Sequence, residues 1–373
     1  MQSVRIIADQ SGRVDWDPSG SDRIAFDRQG ADGFYDVYTI SADGTGLVSI
    51  TDGRSAIGRR NNGNPCWHPS GRWIVFQSEH PQHFGLRNRW ASDPGVGCYC
   101  DLWATDPDGQ HFWQLTHHRV KQRLFDGLPV MGVLNPHFSP DGKWLVWTER
   151  YGDGGRWGRW RVWRARWSVS SEGAPALKQP QVVFTPGKDK GCYVTCLGVT
   201  PDNRRLLLAG NLSDPDHDEF GMDLYLYDLE KRRLTDLTRD PKEWTEGAAL
   251  TPDGTKIIYM SNKGWPMDFS DQHWYWQKRR REYWMMNLDG SGKQRVTYFN
   301  TPGHREYRGR RVIVADCSWS PDGRRLAATL GEDMSEGEKA DFHLRVAVIT
   351  FTRGQQKEKP QELDNPQGQE KKE

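Results

Sequence analysis

One short turn sequence recurs six times along this chain, and it constrains the fold more than any other feature. The clearest copy is Phe-Ser-Pro-Asp-Gly at 138–142, which an apolar run at 144–147 follows. The six copies lie at 16–20, 67–71, 138–142, 199–203, 250–254 and 319–323. Proline presets φ at the first corner of a tight turn, Asp or Ser caps it, and Gly accepts the positive φ. Each copy therefore predicts a β-hairpin.

A second pair of short segments follows each of the first five hairpins. The first member resembles Asp-Leu-Tyr, and the second ends in Leu-Thr or a similar pair. The pairs are 36–40 with 46–51, 101–106 with 113–116, 160–163 with 182–185, 223–227 with 234–238, and 282–286 with 295–297. Each unit thus holds four strands joined by turns, which is the composition of one propeller blade.

The sixth unit lacks a fourth strand after 344–350, and the segment 4–8 at the other end of the chain is a strand without a unit. We therefore predict an all-β fold, a six-bladed β-propeller of four-stranded blades over 1–352, with the N-terminal strand completing the last blade and closing the ring. The long gaps at 69–140 and 252–321 carry no further hairpin signal, so we interpret them as loops. The charged tail at 353–373 is expected to be disordered.

Composition excludes two classes of partner. The 51 basic and 50 acidic residues nearly cancel, so we expect no nucleic-acid binding. No apolar run reaches the ~20 residues that a membrane-spanning helix needs.

The segment 1–20 has no basic region followed by an apolar one, so no signal peptide is expected. We expect a periplasmic or secreted protein if the sequence is a processed form, and a cytoplasmic one otherwise.

The repeated Ser-Pro-Asp-Gly-Lys turn, with its Asp-Leu-Tyr strand and Leu-Thr ending, resembles the TolB-type repeat, the WD40-like PD40 propeller. The resemblance covers 4 to about 352. It implies a propeller fold but no single function, because the repeat occurs in TolB, in propellers of oligopeptidases and in oligogalacturonate-degrading lyases. We find no G-x-S-x-G elbow and no hydrolase domain after the repeats, so the catalytic half of an oligopeptidase is not expected. The additional α/β domain that precedes the propeller in TolB is not expected either.

The innermost strand of each blade should be the one that ends at the turn, and its side chains should line a central channel. One position before the turn stand Asp15, Cys66, His137, Gly198, Ala249 and Ser318. Three positions before it stand Arg13, Asn64, Asn135, Cys196, Gly247 and Asp316. Because side chains alternate along a strand, we expect both sets to share the channel face.

These channel positions supply the candidate site. A catalytic reading takes His137 as ligand or base with Asp15, Asp316 and Glu246 as carboxylate partners. Binding residues would then be Arg13, Asn64 and Asn135. The alternative is that these polar side chains only hydrogen-bond the water of the channel.

A divalent metal in the channel is the cofactor that such a site could hold, although its ligands stay unknown. His80, His83, His117 and His118 form a second candidate group, for which surface loops are the alternative. Pro81 argues against a helix that would align His80 with His83. For the cysteine pairs Cys98 with Cys100 and Cys192 with Cys196, both pairing and reduced thiols stay open.

Segments rich in Arg and Trp are the most unusual part of the composition. They lie at 87–90, 156–167, 273–281 and 304–311, and their candidate binding residues are Trp90, Trp157, Trp274 and Trp276. Aromatic faces stack on sugar rings and Arg pairs with carboxylates, which would suit an acidic glycan. The same residue types dominate protein–protein hot spots, and simple packing is the third possibility.

Two functions therefore compete. The first is a non-catalytic TolB-like propeller that binds a protein partner, or joins a larger complex, through its Arg/Trp-rich loops. The alternative is a carbohydrate-active enzyme, a polysaccharide lyase or glycoside hydrolase, that acts on an acidic glycan at the channel mouth.

Overall fold

The computed structural model describes residues 1, 3–83, 89–119, 128–153, 158–187, 193–212, 221–240, 243–265, 278–337 and 339–351. These residues form six antiparallel sheets of four strands each, which confirms the predicted six-bladed, all-β propeller. No helix in these ranges is long and apolar enough to cross a membrane. The predicted tail at 353–373 lies outside the described residues.

Strand β1 (Ser3–Asp9) precedes the first blade. The first blade comprises β2 (Ser11–Trp16), β3 (Arg23–Gln29), β4 (Tyr35–Ser41) and β5 (Val48–Ser49). The second comprises β6 (Asn62–Trp67), β7 (Ile74–Glu79), β8 (Cys100–Thr105) and β9 (Phe112–Gln114), with a short 3-10 helix at Arg89–Ser92 between β7 and β8. The third comprises β10 (Gly132–Phe138), β11 (Trp144–Gly152), β12 (Arg159–Val169) and β13 (Pro175–Phe184).

The later blades repeat this order. The fourth comprises β14 (Val194–Val199), β15 (Arg205–Gly210), β16 (Asp223–Asp228) and β17 (Arg233–Asp236). The fifth comprises β18 (Thr245–Leu250), β19 (Lys256–Ser261), β20 (Glu282–Asn287) and β21 (Gln294–Arg295). The sixth comprises β22 (Val312–Trp319), β23 (Arg325–Asp333) and β24 (Phe342–Thr350).

The sixth sheet is completed by β1, in the order β1-β24-β23-β22. Val4 pairs with Ile349 and Ile6 with Ala347, and a bulge follows Ile6. The strand that the sequence left without a unit therefore supplies the strand that the last unit lacked. This pairing joins the two ends of the chain in one sheet and confirms the predicted closure of the ring.

The repeated turn has the predicted geometry. In the third blade, the backbone N–H of Ser139 donates to the Trp144 carbonyl at 2.8 Å, and Gly142 adopts a φ of 69°. The Asp141 carboxylate accepts hydrogen bonds from the Ser139 hydroxyl at 2.7 Å and from the Lys143 N–H at 3.1 Å. Only Gly and a few polar residues adopt this left-handed conformation readily, which explains why Gly or Asn ends each copy.

The second repeated signature forms a contact that we call the acid–threonine clasp. A carboxylate at the start of the third strand accepts a hydrogen bond from the threonine that follows the fourth strand. The four clasps are Asp36–Thr51 at 2.6 Å, Asp101–Thr116 at 2.8 Å, Asp223–Thr238 at 2.8 Å and Glu282–Thr297 at 2.6 Å. Each threonine oxygen also accepts the N–H of the residue after the acid. The clasp thus satisfies buried polar groups at the outer edge of the blade.

The up-and-down order of the strands divides the propeller into two ends. The turn face carries the six repeated turns. At the opposite end, which we call the loop face, the innermost strands β2, β6, β10, β14, β18 and β22 begin. Connections between the second and third strands, and those between blades, also lie at the loop face because consecutive strands are antiparallel. The described parts of the segments 87–90, 273–281 and 304–311 therefore adjoin this face. The described part of 156–167 begins there and continues along β12 to the turn face, where the Trp167 ring contacts His68.

Candidate functional site at the loop face

A register shift interrupts each innermost strand at nearly the same place. The shifts fall between Ser11 and Val14, Gly63 and Cys66, Leu134 and His137, Cys196 and Gly198, Glu246 and Ala249, and Val314 and Cys317. Bulges redirect side chains, so the simple alternation on which the two channel sets were predicted does not hold across them. Arg13, Asn64, Asn135, Gly247 and Asp316 lie within these interruptions.

Local sequence explains the bulges of the second and third blades. Asn64 and Asn135 adopt φ values of 53° and 50°, in the left-handed region that Asn tolerates better than most residues. A proline follows each asparagine, and it cannot donate to the strand ladder. The Asn-Pro pairs are therefore the sequence signal of these two bulges.

Charged side chains converge where the bulges meet at the centre. The Nε of Arg13 lies 3.8 Å from the Oδ2 of Asp316, which joins the first and sixth blades. Burial lowers the pKa of Arg13, but the nearby carboxylates of Asp316 and Asp27 raise it by more than burial lowers it. The net change in the pKa is therefore upward. Burial raises the pKa of Asp27 to about 6, and Arg13 opposes that shift. We call Arg13, Asp27, Glu246 and Asp316 the mouth cluster.

Glu246 is included in this cluster because Asp316 and Arg13 both affect the pKa of its carboxyl group. Its carboxylate accepts a hydrogen bond from the Trp244 indole at 2.8 Å. Burial raises the pKa of Glu246, and the neighbouring Asp316 raises it further. The cluster thus holds several carboxylates near the Arg13 guanidinium, and the Arg281 guanidinium opposes the upward shift of the Glu246 pKa.

A chain of hydrogen bonds continues around the channel from Asp27 of the mouth cluster. The Asn64 N–H donates to Asp27 at 2.9 Å, and the Asn64 amide donates to the Asn135 side-chain oxygen at 2.5 Å. The Asn135 amide in turn donates to the Thr195 hydroxyl at 2.7 Å. Four neighbouring blades are connected in this way. The predicted binding residues Arg13, Asn64 and Asn135 therefore belong to one ring of polar side chains.

Asp15 contacts the neighbouring blades instead of the other residues of the predicted catalytic site. Its carboxylate accepts hydrogen bonds from the Trp67 N–H at 2.7 Å and from the Ser318 hydroxyl at 2.8 Å. Burial raises the pKa of Asp15 to about 7. These contacts make Asp15 a joint between the first, second and sixth blades.

His137 is separate from the carboxylates that were expected to accompany it. Burial alone lowers the pKa of His137 to about 4, with no contribution from a neighbouring carboxylate. Within the described ranges no hydrogen bond to its imidazole is found. The structure thus brings Arg13, Asp316 and Glu246 together, and places neither Asp15 nor His137 in contact with them.

Trp90 lies on the short 3-10 helix at the loop face. Among the tryptophans that the structure describes it alone is exposed, with 61 % of its surface accessible. The helix itself is firmly attached, because the Asn61 side chain donates to the Ser92 hydroxyl at 3.0 Å and to the Asp93 carboxylate at 3.2 Å. An exposed aromatic ring on a fixed base is the arrangement that binding surfaces favour.

The segment after this helix folds inward over the channel. Pro94 packs against Gly63 of β6, and Gly95 packs against the Arg13 guanidinium. A Cβ atom at either glycine would overlap these neighbours, and Gly95 also has a φ of +82°. The exposed Trp90 is therefore connected by a short segment, 91–95, to the mouth cluster. Trp157, Trp274 and Trp276 lie outside the described residues.

Part of the second Arg/Trp segment serves packing. Trp160 is buried, and Trp163 stacks on Trp147 with ring centroids 6.0 Å apart. The Arg161 guanidinium lies 4.8 Å from the Trp163 ring and 2.6 Å from the Glu149 carboxylate. This strand therefore illustrates the packing alternative that the sequence left open.

Two members of the second histidine group, His83 and His118, contact carboxylates. His118 lies between two carboxylates, with Nδ1 2.7 Å from Asp101 and Nε2 3.0 Å from Glu149. His83 lies 2.5 Å from Glu79 and stacks on Tyr99. In the part of the chain that the structure describes, no group of three or more His, Cys, Asp or Glu side chains is placed to hold a metal ion. The described channel residues therefore do not fit a divalent metal.

The described cysteines Cys66, Cys98, Cys100, Cys196 and Cys317 are free thiols, and Cys192 lies outside the described residues. Sequence reasoning missed Asp27 and Asn61. An acidic residue directly after the apolar run 24–26 could have indicated Asp27. Nothing local distinguishes Asn61, whose partners Tyr35 and Ser92 are 26 and 31 positions away.

Solved structures with the same fold are found at low identity. TolB from Acinetobacter baumannii matches with a TM-score of 0.52 and 16% identity, over 89% of this chain and 65% of that one. Putative TolB from Agrobacterium tumefaciens matches with a TM-score of 0.52 and 15% identity, over 83% of each chain. An oligogalacturonate lyase in complex with manganese has a TM-score of 0.49 and 13% identity, over 90% and 88%.

At such identities the two TolB matches establish the propeller fold alone. This chain spans about 65% of the length of the Acinetobacter TolB. No known family profile matches the chain, and no curated protein matches it in sequence.

Proposed function

We propose that this chain is a non-catalytic, TolB-like propeller that binds a protein partner through its loop face. The observation that carries the proposal is the exposed Trp90 ring on a fixed base next to the channel mouth. Tryptophan and arginine are the residues that most often dominate protein–protein affinity. The partner would therefore cover Trp90 and reach toward the mouth cluster.

Rigidity of the surface supports this proposal. The Gln77 amide donates to the Asp93 carbonyl at 3.3 Å, and the Cys98 N–H donates to the Ala91 carbonyl at 2.9 Å. The first contact holds the segment that carries Trp90 against β7, and the second holds it against the residues that precede β8. A ring that is already held in place loses little conformational freedom when a partner covers it, which leaves more of the contact energy for affinity.

The carbohydrate-active alternative has less support from the geometry. A lyase or hydrolase needs its base and carboxylates within reach of one substrate. Burial lowers the pKa of His137, the candidate base, to about 4, and no carboxylate of the described residues opposes that shift. Asp15 already accepts two hydrogen bonds. The likeness to TolB agrees with a binding role, but its weight is limited to the fold.

The test compares Trp90 with an exposed apolar residue on the opposite face of the propeller. Leu47 is 46% exposed and lies in the connection between β4 and β5, on the turn face. A partner captured with the tagged full chain from its native cells would be purified, and its Kd measured by calorimetry. Trp90→Ala should weaken binding at least ~10-fold, since a central aromatic anchor is worth about 2 kcal/mol or more. Leu47→Ala should leave Kd unchanged.

Equal affinity of Trp90→Ala and the unaltered chain would refute the proposal. Turnover of an acidic polysaccharide by the purified chain, lost on His137→Ala, would replace it with the enzymatic alternative. Melting temperatures of both variants serve as the control for folding.

A further inference from the structure

A pocket lined by arginines and aromatic rings lies on the loop face between the fifth and sixth blades. Its volume is about 300 Å³. Residues from two connections line it, namely the one between β19 and β20 and the one between β21 and β22. The residues that matter here are Trp265, Arg280, Asn300, Tyr307, Arg310 and Arg311. None of them belongs to the mouth cluster or to the segment that carries Trp90.

The charge of this pocket is not balanced within the described chain. Arg311 forms an ion pair with Asp333. In the described ranges no carboxylate forms an ion pair with Arg280 or Arg310, and the hydrogen bond found for the Arg310 guanidinium goes to the Met334 sulfur. Among the described residues that line it, the pocket therefore carries three guanidiniums and no carboxylate. Guanidinium groups without a protein carboxylate are available to an external anion.

The frame of the pocket is fixed by contacts that do not depend on a ligand. The Asn300 amide donates to Glu282 at 3.1 Å and to the Val312 carbonyl at 3.0 Å, and its oxygen accepts the Val312 N–H at 2.8 Å. The Glu306 carboxylate accepts the Tyr298 N–H at 3.0 Å. Asn300 thus fixes its own connection to β20 and β22, and its amide also donates to the Arg281 carbonyl of the other connection at 3.4 Å, which leaves the arginines and the aromatic rings for recognition.

Aromatic surfaces complete the pocket. Tyr307 is 40% exposed, and the Trp265 ring is backed by the Arg295 guanidinium at 4.8 Å. A flat ring of a ligand can stack on the Tyr307 ring or on the Trp265 ring, while its anionic substituent reaches the guanidiniums of the pocket. The volume is at the lower end of the range for ligand pockets, which suits one ring with its anionic group.

We propose that this pocket binds a small anionic ligand with a flat ring, whose carboxylate or phosphate group is held by Arg280 and Arg310. Trp265 and Tyr307 provide the surfaces for the ring. This site is independent of the proposed protein-binding surface around Trp90, because it uses other residues on other blades.

The experiment measures binding of benzoate and phenyl phosphate to the full chain by calorimetry, with neutral benzamide and inorganic phosphate as comparison ligands. At least one ring anion should bind with a Kd of roughly 1 mM or below, which corresponds to about −4 kcal/mol. Arg280→Gln and Arg310→Gln should each weaken it at least ~5-fold, since each removes a charge-assisted contact. Whichever of the two anions binds more tightly identifies the carboxylate or the phosphate as the preferred group.

Arg204→Gln is the matched control, because Arg204 is an exposed arginine next to a repeated turn on the opposite face. It should leave affinity unchanged. Tyr307→Ala should reduce the affinity for phenyl phosphate toward that for inorganic phosphate. The proposal is overturned if neither ring anion binds at ~50 mM, well above the affinity expected for such a site. It is also overturned if benzamide binds equally well, or if both arginine variants bind as the unaltered chain does.

Discussion

The Ser318 hydroxyl donates a 2.8 Å hydrogen bond to the Asp15 carboxylate, across 303 positions of the chain. The same carboxylate accepts the Trp67 N–H at 2.7 Å, and the Ser318 oxygen accepts the Trp16 N–H at 3.0 Å. The first blade is thereby attached to its neighbours on both sides, at the point where the ring closes. Asp15 is thus a structural joint, and its substitution tests the closure.

Asp15→Ala should lower the free energy of unfolding by about 2 kcal/mol, because it leaves the Trp67 N–H without an acceptor. Asp15→Asn should cost much less, since its oxygen can accept the Trp67 N–H while its amide donates to Ser318. Urea denaturation at constant pH measures both. Equal stability of Asp15→Ala and the unaltered chain would contradict the role of Asp15 as a joint.

The same residue predicts a pH dependence. Burial raises the pKa of Asp15 to about 7, whereas an unfolded aspartate titrates near pH 4. The folded chain therefore holds a proton that the unfolded chain releases, and this contribution to the free energy of unfolding falls as pH rises from about 4 to about 7. Asp15→Asn should gain stability relative to the unaltered chain over that interval. A difference that does not change with pH would argue against this prediction.

His118 should stabilise the contact between the second and third blades. Burial lowers its pKa, but hydrogen bonds with Asp101 and Glu149 outweigh burial and raise the pKa of His118 to about 9. Stability from this imidazolium is fully present below about pH 6.5 and is lost as pH rises through about 9. His118→Gln should cost about 3 kcal/mol at pH 6 and clearly less at pH 10, as measured by urea denaturation.

His111 provides the control, because its side chain is 72% exposed although it also pairs with a carboxylate, that of Asp106. His111→Gln should change stability by less than about 1 kcal/mol at either pH. A cost of His118→Gln that stays constant between pH 6 and pH 10 would show that the charge of His118 is not what stabilises this contact.

The acid–threonine clasp should be worth more than an ordinary surface hydrogen bond. Thr238→Val keeps the shape of the side chain but removes the oxygen that contacts Asp223 at 2.8 Å and the Leu224 N–H at 2.9 Å. Because both partners are buried, the free energy of unfolding should fall by about 2 kcal/mol. Thr255→Val, in an exposed repeated turn, should cost less than about 1 kcal/mol in the same chemical denaturation. Equal losses of stability in the two variants would contradict a stabilising role of the clasp.

Arg13 should offset the repulsion between the carboxylates of the mouth cluster. Arg13→Gln leaves Asp27, Glu246 and Asp316 without that positive charge. Since the Arg13 side chain is 29% exposed to the channel, the cost at pH 8 should be about 2 kcal/mol, below that of a fully buried pair. At pH 5 the carboxylates take up protons more readily, so the cost should shrink. Thermal unfolding at the two pH values measures the difference, and a larger cost at pH 5 would contradict the account.

The sequence was sufficient for the fold because its decisive signals are local. The turn at 138–142 makes its hydrogen bonds within residues 139–144. The pairing of β1 with β24 follows from counting the strands in each unit. The candidate site was harder to predict from local sequence patterns. The bulges at Asn64 and Asn135 interrupt the alternation on which the channel positions were assigned.

Contacts between distant segments explain what else was missed. The packing of Gly95 on Arg13 joins residues of two blades, and no periodicity in either segment indicates it. His118 was noticed as a possible ligand, but its carboxylates Asp101 and Glu149 are 17 and 31 positions away in sequence. Only the arrangement of neighbouring blades shows that it forms ion pairs.

The most direct test of the loop face as the binding surface is site-specific photo-crosslinking in the native cells. A photoreactive amino acid replaces Trp90 in one full-length chain and Leu47, on the turn face, in another. If the loop face binds the partner, a discrete crosslinked protein should form from position 90 and none from position 47. Crosslinking of the same partner from position 47 alone, or from neither position, would contradict binding through the loop face.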